Sequence, residues 1–190
     1  MKAIDNIICL LVGASGSGKT TITEKLKKEA GFKIVESYTT RPKRYEDEAG
    51  HIFVSEEDYE AMKDDMCAFT VFDGHKYWAT NKQVDESDIY IIDPAGIEYF
   101  RKTYKGSKEP FVIYLKSGKK TRKKRMLDRG DNRKTVQKRL QHDKKAFANA
   151  EAEANHIINA DVQIDEVISA VYMAVKMSDM LRGKMKNGKA

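Results

Sequence analysis

Ile7-Ile8-Cys9-Leu10-Leu11-Val12-Gly13-Ala14-Ser15-Gly16-Ser17-Gly18-Lys19-Thr20 decides the reading of this chain. The six apolar residues predict a buried strand. The eight that follow fit G-x-x-x-x-G-K-[ST], a turn built to hold phosphate. Gly13, Gly16 and Gly18 permit backbone conformations closed to other residues, so successive N–H groups can point inward. A helix predicted over 20–30, with Ile22, Leu26 and Ala30 on one face, aims its positive end at the same place. Gly13, Ala14, Ser15, Gly16, Ser17, Gly18, Lys19 and Thr20 are therefore expected to bind ATP. Lys19 reaches the β- and γ-phosphates and the Thr20 hydroxyl ligates Mg²⁺. A strand before and a helix after separate this stretch from a flexible Gly/Ser loop.

Outward from the cradle, apolar runs alternate with amphipathic stretches. Strands are predicted at 33–35, 89–92, 111–115 and 156–158, and helices at 135–154 and 162–181. Strands separated by helices imply a parallel sheet with right-handed crossovers, hence a three-layer α/β P-loop fold. Residues 37–85 break that rhythm with short β candidates at Thr39-Thr40, Ile52-Phe53, Phe69–Phe72 and Tyr77-Trp78, and a turn at Asp73-Gly74. They read as a small mixed insertion. Ser55, with Asp58 three residues on, predicts a capped helix start. Asp93 closes the 89–92 strand, where a carboxylate can hold Mg²⁺ or, with Pro94-Ala95-Gly96, form a turn.

The chain has 190 residues, 41% hydrophobic content and a net charge of +6. That supports one globular core. No apolar run approaches the ~20 residues that span a bilayer. Met1-Lys2-Ala3 leads almost directly into the first strand, so no signal peptide is expected. Cys9 and Cys67 form neither a disulfide framework nor metal-ligand spacing, and a reducing cytoplasm fits. The positive charge gathers at 116–139 and 182–189; with no nucleic-acid motif it reads as solvated surface plus a phosphate-binding cluster. Neither a nucleic-acid nor a membrane partner is expected. Residues 183–190 read as a frayed basic tail. Met62, Met66, Met173, Met177 and Met180 read as core or groove filler. Trp78 is either a base-stacking platform or a packed aromatic.

Val35-Glu36-Ser37-Tyr38-Thr39-Thr40-Arg41-Pro42-Lys43-Arg44, then Phe53-Val54-Ser55, resembles the monophosphate-binding segment of guanylate kinases. Lys124-Arg125 to Arg129-Gly130 resembles that family's lid, Lys138-Arg139-Leu140 the helix after it, and Ile158-Asn159 a strand end that contributes to ATP binding. The resemblance runs from about 7 to 174. It implies a single domain: core 1–36, 86–122 and 141–182, acceptor-binding insertion 37–85, lid 123–140. It implies phosphoryl transfer from ATP, with Mg²⁺, to GMP or dGMP, by a monomer or homodimer. Ser37, Arg41, Arg44 and Tyr77 would hold the acceptor. Arg125, Arg129 and Arg139, with Lys19 and Arg41, would stabilise the charge in flight. The chemistry agrees: Arg41 and Arg44 can grip one phosphate, Arg125 and Arg129 share a helix face, and phosphoryl transfer needs mainly positioning and charge neutralisation.

The pattern also departs from the family. Two carboxylates that select guanine are replaced, one by Ala68 or Thr70 and the other by Ala95. His51 stands where a tyrosine is expected, and Trp78-Ala79 stand where a glycine is expected. Asp64, Asp65 or Asp73 could substitute in another register. Losing charge-assisted acceptors worth about 1.5–3 kcal/mol each erodes base selectivity. Two alternatives stay open: a ribose 1,5-bisphosphate kinase (or a kinase for another base), to which His51-Ile52 invites comparison, and a non-catalytic phosphopeptide-binding module of the same fold.

Overall fold

The computed structural model describes residues 4–43, 46–48, 50–72 and 74–187. In chain order, β1 (Ile7–Val12) leads through the glycine-rich turn into α1 (Lys19–Ala30). The insertion follows with β2 (Ser37–Thr39), β3 (His51–Phe53), α2 (Glu56–Met62), β4 (Met66–Phe72), β5 (His75–Thr80) and α3 (Asn81–Asp85). The chain then returns through β6 (Ile89–Ile91), α4 (Pro94–Thr103), β7 (Glu109–Lys116), α5 (Lys119–Asp128), α6 (Arg133–Ala146), β8 (His156–Asn159) and α7 (Ile164–Asn187).

The core sheet is parallel, in the order β6-β1-β7-β8. All six β1 residues are buried because both faces of the sheet are covered, which is why the strand reads as an unbroken apolar run. Its alternate residues feed two cores. Ile7, Cys9 and Leu11 pack with residues of α1 and α7, while Ile8, Leu10 and Val12 pack with α4 and the insertion. The second sheet, β3-β2-β5-β4, is mixed: β2 and β3 are parallel, and β5 is antiparallel to both β2 and β4. The expected α/β core with a small mixed insertion is thus observed.

Local chemistry explains the element ends. Ser55 and Asp58 form a full reciprocal capping box at α2. Asp93 caps α4 with Pro94 in its first turn. Gly31, at φ 67°, ends α1 in the left-handed conformation.

Four expectations are corrected. The strand expected at 33–35 is one isolated bridge, Ile34 to Ile89, because this segment only brushes the sheet edge. The helix expected to reach 154 ends at Ala146 and continues as turns. The tail expected to fray from 183 is helical to Asn187, an extension of α7. Met173, Met177 and Met180 are not core filler: each is about half exposed. Trp78 is wholly buried, stacked on Tyr38 and edge-on to Tyr59, so it holds the insertion together and offers no open ring to a base.

Candidate active site

Two of the three glycines of the cradle between β1 and α1 take the left-handed conformation, and Gly13, whose φ is not positive, serves through close packing instead. Gly16 and Gly18 have φ of 79° and 101°. A Cβ on Gly13 would lie 2.5 Å from the Ser17 hydroxyl, and one on Gly16 would lie 2.7 Å from the Arg122 carbonyl. A side chain at Gly13 would press on Ser17 and Leu115, and one at Gly16 on the backbone of α5. The Ser17 hydroxyl is buried with no hydrogen-bond partner among the described residues. Lys19 folds its ammonium onto the Gly13 and Ala14 carbonyls. Burial lowers its pKa from 10.5 to about 8, against the attraction of Asp143. The Thr20 side chain is exposed at the first turn of α1.

Asp143 was missed in the sequence. Its carboxylate accepts the Ser15 N–H at 2.9 Å, the Ser15 hydroxyl at 3.2 Å and an Arg122 N–H at 2.9 Å. Arg122 also donates to the Ser15 carbonyl at 3.3 Å. One buried ion pair thereby joins α5, α6 and the cradle. The available signal was that Asp143 is the lone acid in the basic helix Arg133–Ala146. Arg125 likewise braces the cradle, donating to the Ser17 carbonyl at 3.4 Å and the Ala160 carbonyl at 2.8 Å. Arg129 and Arg139 meet at Asp131, with N–O distances of 2.7 and 3.0 Å. Asn159 accepts the Asp161 N–H at 3.0 Å at the exposed end of β8.

In the insertion, Arg41 is buried and donates a two-pronged pair of hydrogen bonds to Glu48, at 3.1 and 2.8 Å, and a third to the Tyr77 hydroxyl at 3.1 Å. Glu48 had no sequence signal, since it ends a run of three acids. Arg44 and Asp73 lie outside the described residues. Ser37 bonds His51 Nδ1 at 3.0 Å. Asp93 accepts Thr70 Oγ1 at 3.0 Å and the Gly96 N–H at 2.7 Å, so it forms the expected turn while its carboxylate faces the cleft. Ala95 is exposed on α4, and Asp64 and Asp65 do not line the cleft.

A single cleft of about 280 Å³ joins these parts. Gly13, Ser15 and Lys19 line its cradle end, and Ser37, His51 and Tyr77 line its insertion end. Thr70, Asp93 and Asp143 also contribute. No group of His, Cys, Asp and Glu that could hold a metal by itself occurs among the described residues.

The AAA domain family matches residues 9–156, from inside β1 through the cradle, the insertion and both helices of the α5–α6 pair to the start of β8. The chain belongs to the AAA domain family. Among individual proteins, its similarity is to guanylate kinases. It is 29% identical over 204 residues to a guanylate kinase of Pseudoalteromonas translucida (strain TAC 125), covering 94% of each chain. It is 28% identical over 168 residues to one of Helicobacter pylori (strain ATCC 700392 / 26695), covering 82% of this chain and 81% of that one. The crystal structure of guanylate kinase from Anaplasma phagocytophilum shares its fold, with a TM-score of 0.64 at 17% identity, over 92% of this chain and 87% of that one. Each of these matches covers more than four fifths of this chain and of the relative.

Proposed function

We propose that this chain is an ATP-dependent nucleoside monophosphate kinase that converts GMP or dGMP to the diphosphate. The observation that carries the reading is the single cleft with a phosphate cradle at one end and the Ser37–His51–Tyr77 surface, backed by Arg41, at the other. A glycine-rich cradle and a polar surface backed by Arg41, facing one space, suit transfer between two phosphorylated molecules. The guanylate kinases it resembles along its length support the acceptor class.

In this reading residues 13–20 hold ATP, with Asn159 at the adenine side. Residues 37–85 form the acceptor arm, where Ser37, Arg41, Arg44 and Tyr77 hold the monophosphate. Residues 123–140 form the lid. The acceptor oxygen attacks the γ-phosphorus as the bond to the β-phosphate oxygen breaks. Lys19 and the Arg125, Arg129 and Arg139 guanidiniums neutralise charge during that exchange. The Thr20 hydroxyl is free to serve as a cation ligand, and Asp93 keeps lone pairs beyond its two hydrogen bonds, so both suit Mg²⁺. When bound, Mg²⁺ supplies charge neutralisation on the β- and γ-phosphates. Among the described residues no helix is long and apolar enough to cross a membrane, and Cys9 and Cys67 are free and buried, which suits a reducing cytoplasm.

The test is an ADP-release assay with ATP–Mg²⁺ and GMP, dGMP, AMP, CMP, UMP, dTMP or ribose 1,5-bisphosphate. Turnover with GMP or dGMP well above the rest is expected. Turnover only with the sugar phosphate overturns the nucleotide reading, and no turnover alongside phosphopeptide binding overturns the enzyme.

A further inference from the structure

We propose that the exposed face of α6 is a docking surface for the phosphate backbone of a nucleic acid duplex, bound without regard to base sequence. Residues 119–146 hold thirteen Lys and Arg against three acids, a net +10 in a chain whose total is only +6, so the rest of the chain is net negative. The structure sorts these cations by type. Arg122, Arg125 and Arg139 are half-buried; the first two donate to the cradle and the third to Asp131. The lysines face outward. Arg133, Lys134, Lys138, Lys144 and Lys145 are exposed on α6, and the rest of its exposed surface is glutamine and His142, with no carboxylate. The three acids of the helix pair are already committed: Asp128 to Lys124, Asp131 to Arg129 and Arg139, and Asp143 to Arg122.

Lys134, Lys138 and Lys145 stand in line with Gln141, on the side of α6 opposite the buried Val136, Leu140 and Asp143. Local rules are broken to keep them there. α6 opens with Arg133 and Lys134 and no acid in its first turn, against the helix dipole, whereas α2 and α7 open with acids. Lys134 and Lys138 are a like-charge pair four residues apart, as are Lys119–Lys123 and Lys120–Lys124 on α5, and each pair is unfavourable. A face shaped by solvation alone would intersperse acids, as Glu98 does for Lys102 on α4. Conflicts of this kind fall where a surface has a task, and an anionic partner removes the repulsion. The chemistry narrows that partner. Along the helix axis Lys134 and Lys138 are about 6 Å apart and Lys138 and Lys145 about 10 Å, beside a duplex that carries a charge every ~1.7 Å. Gln137 and Gln141 add amide donors for phosphate oxygens. The sequence has no base-reading motif, so the contact is to backbone. Residues 119–146 hold no Phe, Tyr or Trp to stack a splayed base, and the apolar Met126, Val136 and Leu140 are buried, so neither a single strand nor a membrane interior is served.

The experiment is fluorescence anisotropy of a labelled DNA duplex of about 30 base pairs titrated with the full chain from about 50 to 300 mM salt, where backbone binding is steeply salt-dependent. Wild type is expected to bind with Kd on the order of 10 µM near the low end, and log affinity should fall against log salt with a slope of about −3 to −4, as for four neutralised phosphates. Two duplexes of unrelated sequence should bind equally, and saturating ATP–Mg²⁺ at matched ionic strength should leave the affinity unchanged. Replacing Lys134, Lys138 and Lys145 together by Gln is expected to weaken binding at least about tenfold and flatten the slope to about −1, with unchanged circular dichroism. Replacing Lys27, Lys28 and Lys102, exposed on α1 and α4, by Gln removes the same charge and should leave binding near the wild-type level. Equal weakening by the two triple variants overturns the proposal, because net charge and not this face would then bind. So does displacement of the duplex by ATP, which would place it in the cradle. A clear preference for one sequence, no binding at about 50 mM salt, or binding to phosphatidylserine vesicles without binding to duplex overturns it as well.

Discussion

Arg41 and Glu48 form a buried two-pronged ion pair, Nη1 to Oε2 at 3.1 Å and Nη2 to Oε1 at 2.8 Å, and the same guanidinium reaches the Tyr77 hydroxyl. The fork geometry that suits a phosphate is here satisfied by a carboxylate. In the proposed kinase, Arg41→Ala raises acceptor KM at least about tenfold and leaves ATP KM near its starting value. Steady-state kinetics varying each substrate check this, and equal losses for both would remove the role. Glu48→Ala strands a buried charge and lowers stability by about 3–5 kcal/mol in urea unfolding. Arg41→Lys does not restore the acceptor KM, because an ammonium cannot offer two parallel donors.

Lys19 gives a pH signature. Its pKa is lowered to about 8 by burial. A cation is needed at the phosphates, so kcat/KM for ATP falls as pH rises through about 8, whereas kcat at saturation holds to higher pH because bound phosphate favours the charged form. Between about pH 8 and 10.5 the folded chain binds fewer protons at this group than the unfolded one, so the group makes stability rise with pH there, and its cost is fully present below 8. A kcat/KM profile flat to pH 10 would contradict the assignment.

Gly16 and Gly31 make a controlled pair. Both have positive φ, but a Cβ at Gly16 meets the Arg122 carbonyl at 2.7 Å while one at Gly31 meets nothing within 4 Å. Gly31→Ala should cost about 1 kcal/mol from backbone strain alone. Gly16→Ala should cost more and also weaken ATP binding, as measured by calorimetric titration alongside urea unfolding.

Asp143 links Ser15 to Arg122. Asp143→Ala leaves the Ser15 N–H and the Arg122 guanidinium without this shared partner, so a stability loss of about 3 kcal/mol or more is expected. ATP KM should rise more than acceptor KM, since the displaced group belongs to the cradle. Asp143→Asn keeps an acceptor for Ser15 and should recover part of both losses. Unfolding curves and paired KM values measure this.

The strand, cradle and helix from Ile7 to Ala30 were legible because everything that shapes them is local: an unbroken apolar run, glycines at fixed spacing and a stripe along α1. The capping box of Ser55 and Asp58 was legible for the same reason. Asp143 was not, because its partner Ser15 lies 128 residues away and only the fold brings α6 to the cradle. Thr70 and Asp93 meet across 23 residues, joining insertion and core, and the sequence reading weighed Asp93 only as a metal ligand or turn former. Trp78 divided evenly between two readings because a Trp looks the same in sequence whether stacked on Tyr38 or open to a ligand. The end of α7 was misread because basic, glycine-containing residues resemble a tail, although Gly183 sits within a continuing helix.

The contacts of α5 and α6 with the cradle have a consequence for turnover. Arg122 and Arg125 fasten one helix to the donor site and Asp143 fastens the other, while Arg129 and Arg139 sit nearer the tip between those anchors. A hairpin tethered by both legs cannot swing away as a free flap without disturbing the glycine-rich turn to which it is fastened. In the proposed kinase, opening the cleft would then fall to the opposite wall, the mixed sheet of the insertion, so that the acceptor could leave while the donor stays in place.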